Sequence, residues 1–431
     1  MSPVGSPAET PPDALNCAAG DSTRGYPGAS STSSATVTTS TTGTPMDATR
    51  GFIVGTRGSA LALAQTQLVV DALTPHLSQP LDVQIITTHG DTTRAHLVDL
   101  AQQGHTGVFA NAIRRALLEG QIDLAVHSCK DLPADPCPGL EILAMPPRGA
   151  TADCLCTTAG WTLETLPEGA RVGTGSPRRA AQLLRVRPDL SIVPIRGNIE
   201  RRLRYLEEPV LNTPIGSGSG SGDGSCSDAP LDAVVLAEAG LQRLAARDTE
   251  ADTVLRYISQ RLPFLPSPAQ GALALEVRMD TTPAPLRQAL LAINHQPTLL
   301  AAIAERALLR TLHAGCELPI EAEATAQIHP QTRGVELTLR AEILSPDGRE
   351  RNAVEHTVTV PQLSWAEESA EVAAAEVAGA ESAAGLLAAA PLDIDPGLVD
   401  PAYYAEAHEA QLAAAYQLGQ MVARRLQANA R

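Results

Sequence analysis

The chain has 431 residues, 44% of them hydrophobic and 3% aromatic, with seven cysteines and a formal net charge of −16. That length accommodates roughly two to four domains, each burying its own core, and no run of about 18 apolar residues is present to span a membrane. The acidic balance argues against nucleic acid or an anionic membrane as the main partner, and the odd cysteine count without a CxxC pair reads as reduced thiols rather than a disulfide framework or a zinc site.

Charge is unevenly placed. Nine arginines lie between Arg171 and Arg204 against two acids, Asp189 and Glu200. A basic island in an acidic chain points to a local site for a small anion; its bland counterpart is a solvated helix face. Lys130 is the single lysine among 32 basic side chains.

Residues 1–50 are rich in Ser, Thr, Pro, Gly and Ala without helical or strand period, and read as a disordered tail. The tail lacks the charged start and apolar stretch of a secretory signal, and its few basic residues fit a transit peptide poorly. With the reduced thiols this predicts a cytoplasmic protein. Met46 precedes the first predicted strand, so a chain starting there is expected to fold and function.

A strand is predicted over 52–55, and Thr56-Arg57-Gly58 then turns into Ser59, a good N-cap. The following helix carries Leu61, Ala64, Leu68 and Ala72 near helical spacing. Next come a strand over 82–87, a helix over 109–118 and a buried strand over 123–127. After a linker near 147–152 the pattern repeats. Arg171-Val172-Gly173 ends a strand, and Ser176 caps a helix with Pro177 at its first position. Residues 209–230 form a Gly/Ser-rich surface insertion, 231–237 a buried strand, and 272–277 a strand that crosses back to the first domain. A helix over 298–312, strands near 318–328 and 335–344, an Ala/Glu-rich segment at 366–391 and a terminal helix over 403–427 complete the chain. Alternating strands and helices predict an α/β architecture.

Two strand–turn–helix units place a helix N-terminus and arginine at a strand end: Arg57 with Ser59, and Ser176 with Arg178 and Arg179. Helix N-termini favour anions, and arginine matches carboxylates bidentately. His127-Ser128-Cys129-Lys130-Asp131 closes a buried strand at the same kind of edge, where an acid beside a lysine can hold its charge and act on protons; the alternative is a surface salt bridge. Cys316 sits on a turn after Gly315, a better place for covalent chemistry than a strand interior. Cys154 and Cys156 have the wrong spacing for common zinc sites.

Seven segments in order resemble the hydroxymethylbilane synthase (porphobilinogen deaminase) family: Gly55 to Gln65, His127 to Pro133, Val172 to Arg179, Ile195 to Arg202, Leu236 to Arg243, Gln270 to Ala272 and Ala314 to Pro319. The resemblance implies three domains, two periplasmic-binding-protein-like α/β lobes and a smaller α+β C-terminal domain. In this chain these would be 51–148, completed by about 268–285; 152–265, with the insertion 209–230; and 286–431. It implies a transferase that condenses four porphobilinogen molecules head to tail, releasing ammonia, and that water finally frees the linear tetrapyrrole. It also implies a dipyrromethane cofactor attached through a thioether to Cys316.

By the same resemblance Asp131 is the catalytic acid. Ser128, Lys130, Thr174, Ser176, Arg178 and Arg179 hold the cofactor. Arg57, Ser59, Gln65, Arg196, Asn198, Arg202 and Arg243 meet the substrate or the growing chain. The protein is expected to be a monomer with a small-molecule substrate and neither nucleic acid nor membrane as partner. Three departures stand out. Gln102 and Thr106 occupy loop positions where the family has lysines, with His105 the one possible cation. Gly175 replaces a serine, and Glu238 a small residue. A slow, degenerate member and a non-catalytic anion-binding protein of the same two-lobed fold are the competing readings.

Overall fold

The computed structural model describes residues 50–86, 108–208, 229–247, 252–313, 318–328, 334–360 and 401–429. The tail to residue 49, residues 102–107, most of the 209–230 insertion, Cys316 and the 366–391 segment lie outside the described residues.

In chain order the strands are β1 (Phe52–Thr56), β2 (Leu81–Ile85), β3 (Leu124–Ser128), β4 (Leu140–Ala144), β5 (Asp153–Cys156), β6 (Arg171–Gly173), β7 (Ser191–Val193), β8 (Ala233–Ala237), β9 (Ile258–Arg261), β10 (Leu273–Arg278), β11 (Ile320–Ile328), β12 (Val335–Leu344) and β13 (Arg351–Val360). The helices are α1 (Ala60–Leu73), α2 (Val108–Leu118), α3 (Pro177–Val186), α4 (Ile199–Arg204), α5 (Glu238–Ala245), α6 (Asp252–Leu255), α7 (Ala284–Ala292), α8 (Gln296–Thr311) and α9 (Pro401–Asn429).

Two five-stranded sheets share one plan. The first runs β2-β1-β3-β10-β4 and the second β7-β6-β8-β5-β9. In each, the first three strands are parallel, and the fourth is antiparallel to both neighbours. Strands buried on both faces need continuous apolar runs. β3 and β8 supply them as Leu-Ala-Val and Ala-Val-Val-Leu, all buried. The antiparallel strand of each sheet is entered by a crossover from the other: β5 enters the second sheet after β4, and β10 enters the first after β9.

Helix α1 starts where the sequence predicts, with the Ser59 hydroxyl accepting from the Ala62 amide at 3.2 Å. Its buried face is rotated from the expected stripe, however. Val69 and Leu73 pack into the core of the first sheet, whereas Leu68 is 45% exposed. The predicted C-terminal strands are joined by a third, β13, whose alternate residues are half-buried. The three-stranded antiparallel sheet β11-β12-β13 buries Ala322, Leu337 and Leu339 against Leu300 and Leu308 of α8 and Leu418 and Val422 of α9.

The two crossovers run side by side. The Gly149 amide donates to the Gly271 carbonyl at 3.1 Å. Gly271 has φ +86°, and a Cβ there would lie 2.5 Å from the Gly149 oxygen, so only glycine permits the approach. Glu305 on α8 fastens this junction to the C-terminal sheet. Its fully buried carboxylate accepts from both Arg148 Nη atoms at 2.7 and 3.0 Å, from the Ala324 amide at 2.6 Å and from the Ala269 amide. Both crossovers and β11 thus share one carboxylate. Glu305→Ala leaves a largely covered guanidinium and two buried amides without their acceptor, and is expected to lower unfolding stability by about 2–4 kcal/mol. An unchanged midpoint in a urea titration would show that the clamp contributes nothing.

Candidate active site

The functional side chains collect at the carboxyl ends of the parallel strands, where open α/β sheets bind ligands. From β1 the chain passes through Arg57, half-buried, to the Ser59 cap. One turn into α1, the buried Gln65 accepts from the Ser128 hydroxyl at 2.9 Å, tying α1 to the end of β3. From β3 a single 3-10 turn, Cys129–Asp131, projects Lys130 and Asp131. Cys129 is buried in this turn, and the Asp131 side chain is exposed.

The second sheet repeats the arrangement. After β6 the buried Thr174 accepts from the Ser176 amide at 3.1 Å, and the Ser176 hydroxyl accepts from the Arg179 amide, opening α3. After β7, Gly197 at φ +110° turns the chain into α4, where the Asn198 side chain caps the helix by accepting from the Arg201 amide at 3.1 Å. Arg196 is exposed, while Arg202 is half-buried and donates to the Gly197 carbonyl at 2.9 Å. After β8, Arg243 on α5 reaches the junction and donates to the Gly271 carbonyl at 2.6 Å.

A buried carboxylate organises the cations. Asp153, 1% exposed, accepts from Arg178 Nη2 and Arg179 Nη2, both at 2.6 Å, and from Gln270 Nε2 at 2.9 Å. Gln270 Oε1 in turn accepts from Lys130 Nζ at 3.2 Å, so one amide joins the charges of the two lobes. At an effective dielectric near 20, each ion pair of about 4 Å contributes roughly 4 kcal/mol of attraction. Two such pairs outweigh burial, and they hold the Asp153 carboxyl well below the usual carboxylate range.

The cations themselves are less well matched. Lys130 is pushed down to about 8, by burial first and then by the neighbouring Arg179, with Asp131 and Asp153 opposing. Arg202 is lowered by burial and then by Arg179, and Arg243 is lowered to about 10 by burial. Lys130, Arg178, Arg179 and Arg202 therefore share two carboxylates, Asp131 and Asp153. The buried Arg179 Nε has no hydrogen-bond partner among the described residues. A desolvated cluster with surplus positive charge and a spare buried donor fits a ligand bearing carboxylates.

The structure thus brings Lys130, Asp131, Arg179 and Arg202 within electrostatic reach of one another, and Thr174 and Ser176 stand at the N-terminus of the helix that carries Arg179. Arg178 lies beneath them, engaged by Asp153, Gln182 and the Leu265 carbonyl. Asp153 and Gln270 went unassigned from sequence. An acid opening the apolar strand Asp-Cys-Leu-Cys was the available signal for the first. Glu238, one of the departures, is buried and accepts from Arg261 Nε at 2.9 Å and from Gln242 at 2.8 Å, so its charge is compensated locally. Among the described residues no cluster of three or more metal-ligating side chains occurs.

Asp153→Asn leaves two buried guanidiniums sharing a neutral amide and is expected to destabilise the fold by about 3–5 kcal/mol near neutral pH. Because the Asp153 carboxyl is depressed, its stabilisation is complete above the ordinary carboxylate range and is lost as pH falls through the depressed value. The difference in thermal midpoint between wild type and variant should therefore shrink on acidification; a gap independent of pH would remove the ionic assignment.

The family model for "Porphobilinogen deaminase, dipyromethane cofactor binding domain" matches residues 52–284, and that for "Porphobilinogen deaminase, C-terminal domain" matches residues 299–388. The porphobilinogen deaminase of Thermobifida fusca is 42% identical over 317 residues, covering 74% of this chain and 88% of its own. The Leifsonia xyli protein of that name is 45% identical over 309 residues (71% and 83%), and the Cutibacterium acnes one 46% over 331 residues (74% and 92%). Among solved structures, a Candida albicans protein described as having the generic periplasmic binding protein fold is 9% identical with a TM-score of 0.29, covering 61% of this chain and 72% of that one. The chain belongs to the porphobilinogen deaminase family.

Proposed function

We propose that this protein is a transferase that assembles hydroxymethylbilane from four porphobilinogen molecules, and that Asp131 and the surrounding cations form its active site. The observation that carries the site assignment is the hydrogen-bonded line from Lys130 through Gln270 and Asp153 to Arg179, beside Asp131 on the turn that carries Lys130, with a spare donor on Arg179. Family membership supplies the reaction and the dipyrromethane cofactor. When bound, the dipyrromethane provides the pyrrole terminus to which substrate units are joined.

In each cycle ammonia leaves the aminomethyl carbon of porphobilinogen. That carbon bonds to the free position of the terminal pyrrole, which gives up a proton. Asp131, exposed at the end of β3, is placed to balance the positive charge developing on the pyrroles and to take up or return protons. Lys130, Arg179, Ser176 and Thr174 would hold cofactor carboxylates, together with Ser128 and with Arg178 from beneath. Arg57, Ser59, Gln65, Arg196, Asn198, Arg202 and Arg243 would receive the substrate and the lengthening chain. Cys316 is proposed as the attachment point; α8 ends at Thr311, five residues before it.

The distribution of strands among three sheets supports a division into 51–148 completed by about 268–285, 152–265, and 286–431. No described helix is long and apolar enough to cross a membrane. We further propose a cytoplasmic monomer that binds neither nucleic acid nor membrane. The acidic net charge supports the last two points, the absence of nucleic-acid and anionic-membrane binding.

Intact mass before and after incubation with porphobilinogen tests the proposal. A dipyrromethane adduct that maps to Cys316 and grows by single pyrrole units is expected. Cys316→Ser should abolish the stable adduct. Asp131→Asn should keep the fold and lower turnover by about 10²–10⁴-fold, the usual contribution of an acid–base group. Full activity in that variant would remove Asp131 from the chemistry, and absence of any adduct in the wild-type chain would favour a non-catalytic anion binder.

A further inference from the structure

Glu321, the second residue of β11, is a carboxylic acid that the reaction does not use. It is 3% exposed and sits where the C-terminal sheet meets α3. Its Oε2 accepts from Gln182 Nε2 on α3. Gln182 Oε1 accepts from Arg178 Nη1 at 2.8 Å, and Gln182 Nε2 and Arg178 Nη1 both donate to the Leu265 carbonyl, at 2.8 and 3.0 Å. Arg178 then reaches Asp153 at 2.6 Å. A continuous line of hydrogen bonds thus joins Glu321 to the carboxylate that organises the pocket.

The groups facing Glu321 can be named element by element. From α3 come Arg178, Gln182 and Arg185. From β12 comes Glu342, directly opposite in the antiparallel register. From β13 comes Arg351, and from the β9–β10 crossover come the backbone carbonyls of Leu265 and Pro266, the latter accepting from the Ala322 amide at 3.0 Å. The nearby arginines are not evenly shared. Arg351 Nε lies 2.7 Å from Glu342 and Arg185 Nη1 3.9 Å from it, whereas among the described residues no ion pair within 4.0 Å includes Glu321. Burial first, and then the like charge of Glu342, push the Glu321 carboxyl up to about 8, against the pull of Arg178, Arg185 and Arg351.

The contact is also close-packed. Gly348, in the turn between β12 and β13, has φ +71°, and a Cβ there would fall 2.3 Å from the Ala181 carbonyl oxygen and 2.7 Å from the Arg185 amide. The backbone of the C-terminal sheet therefore rests directly on α3.

We propose that Glu321 is a proton-gated positioning residue: as the neutral acid it docks the C-terminal sheet on α3 and, through Gln182, aims Arg178 at Asp153 beneath the anion pocket. Loss of its proton places a second negative charge opposite Glu342 and offers Arg178 a partner that competes with Asp153. Because the carboxyl is raised in the folded protein, the stability it contributes is complete below its ordinary value and is lost as pH rises through about 8. The effect on turnover rests on the proposed function; the effect on stability does not.

The test uses the full chain carrying Glu321→Gln, which mimics the neutral acid, and Glu321→Leu, which removes the acceptor. Thermal midpoint and initial rate of porphobilinogen consumption are followed from about pH 6 to pH 9.5, a range that brackets the titration. The wild-type midpoint should fall across this range more steeply than that of Glu321→Gln. The two should agree at the acidic end, and the Gln variant should keep a larger share of its rate at the alkaline end, where the limb common to both proteins is that of Lys130. Glu321→Leu should melt lower than Glu321→Gln throughout. Parallel midpoint–pH curves for wild type and Glu321→Gln overturn the gating. A Leu variant indistinguishable from the Gln variant overturns the relay through Gln182. If Glu321→Leu does not fold, the Gln comparison still decides the gating. If the wild-type chain has neither adduct nor turnover, the functional reading fails, while the midpoints still decide the role of Glu321.

Discussion

The Asp153 carboxylate is the constraint on which the rest of the site depends. Buried at the start of β5, it faces two guanidiniums and the Gln270 amide. Without it, Arg178 and Arg179 would repel one another in a space closed to water. With it, the pair is held at the N-terminus of α3 while one donor of Arg179 stays uncommitted. The same carboxylate explains how two lobes act as one. Gln270 lies on the crossover back to the first sheet and carries the contact on to Lys130.

Much of this was legible in the sequence because the signals were local. Ser59 announces a helix by capping an apolar-periodic run, and Ser176 does so by standing directly before Pro177. The apolar runs in β3 and β8 admit no reading except buried strands. The arginine island was visible as composition, and the family segments suggested a role for it. The rotated face of α1 was not legible. Leu68 fits a helical stripe as well as Val69 does, and only the packing of the helix on the first sheet decides which is covered.

The rest escaped because it depends on partners distant in sequence. Asp153 and Arg178 are 25 residues apart, Lys130 and Gln270 are 140, and Arg148 and Glu305 are 157. No window of sequence contains such a pair. Glu238 shows the same point in reverse. From sequence it is an unexplained acid in place of a small residue; in the fold it is the buried partner of Arg261 on the neighbouring edge strand. Gly175 likewise makes sense only in three dimensions, since a Cβ there would lie 2.5 Å from the Ile195 carbonyl oxygen.

The acidic exterior and the cationic cleft belong to one electrostatic design. A substrate bearing carboxylates gains nothing from most of a surface with a net charge of −16. The attraction falls instead to Lys130, Arg179 and Arg202, whose burial in low-dielectric surroundings strengthens it. In the proposed reaction each added unit would bring more negative charge to these cations, so their surplus would be matched as the chain grows. Once the cations are matched, further anionic groups meet a compensated pocket inside an acidic shell.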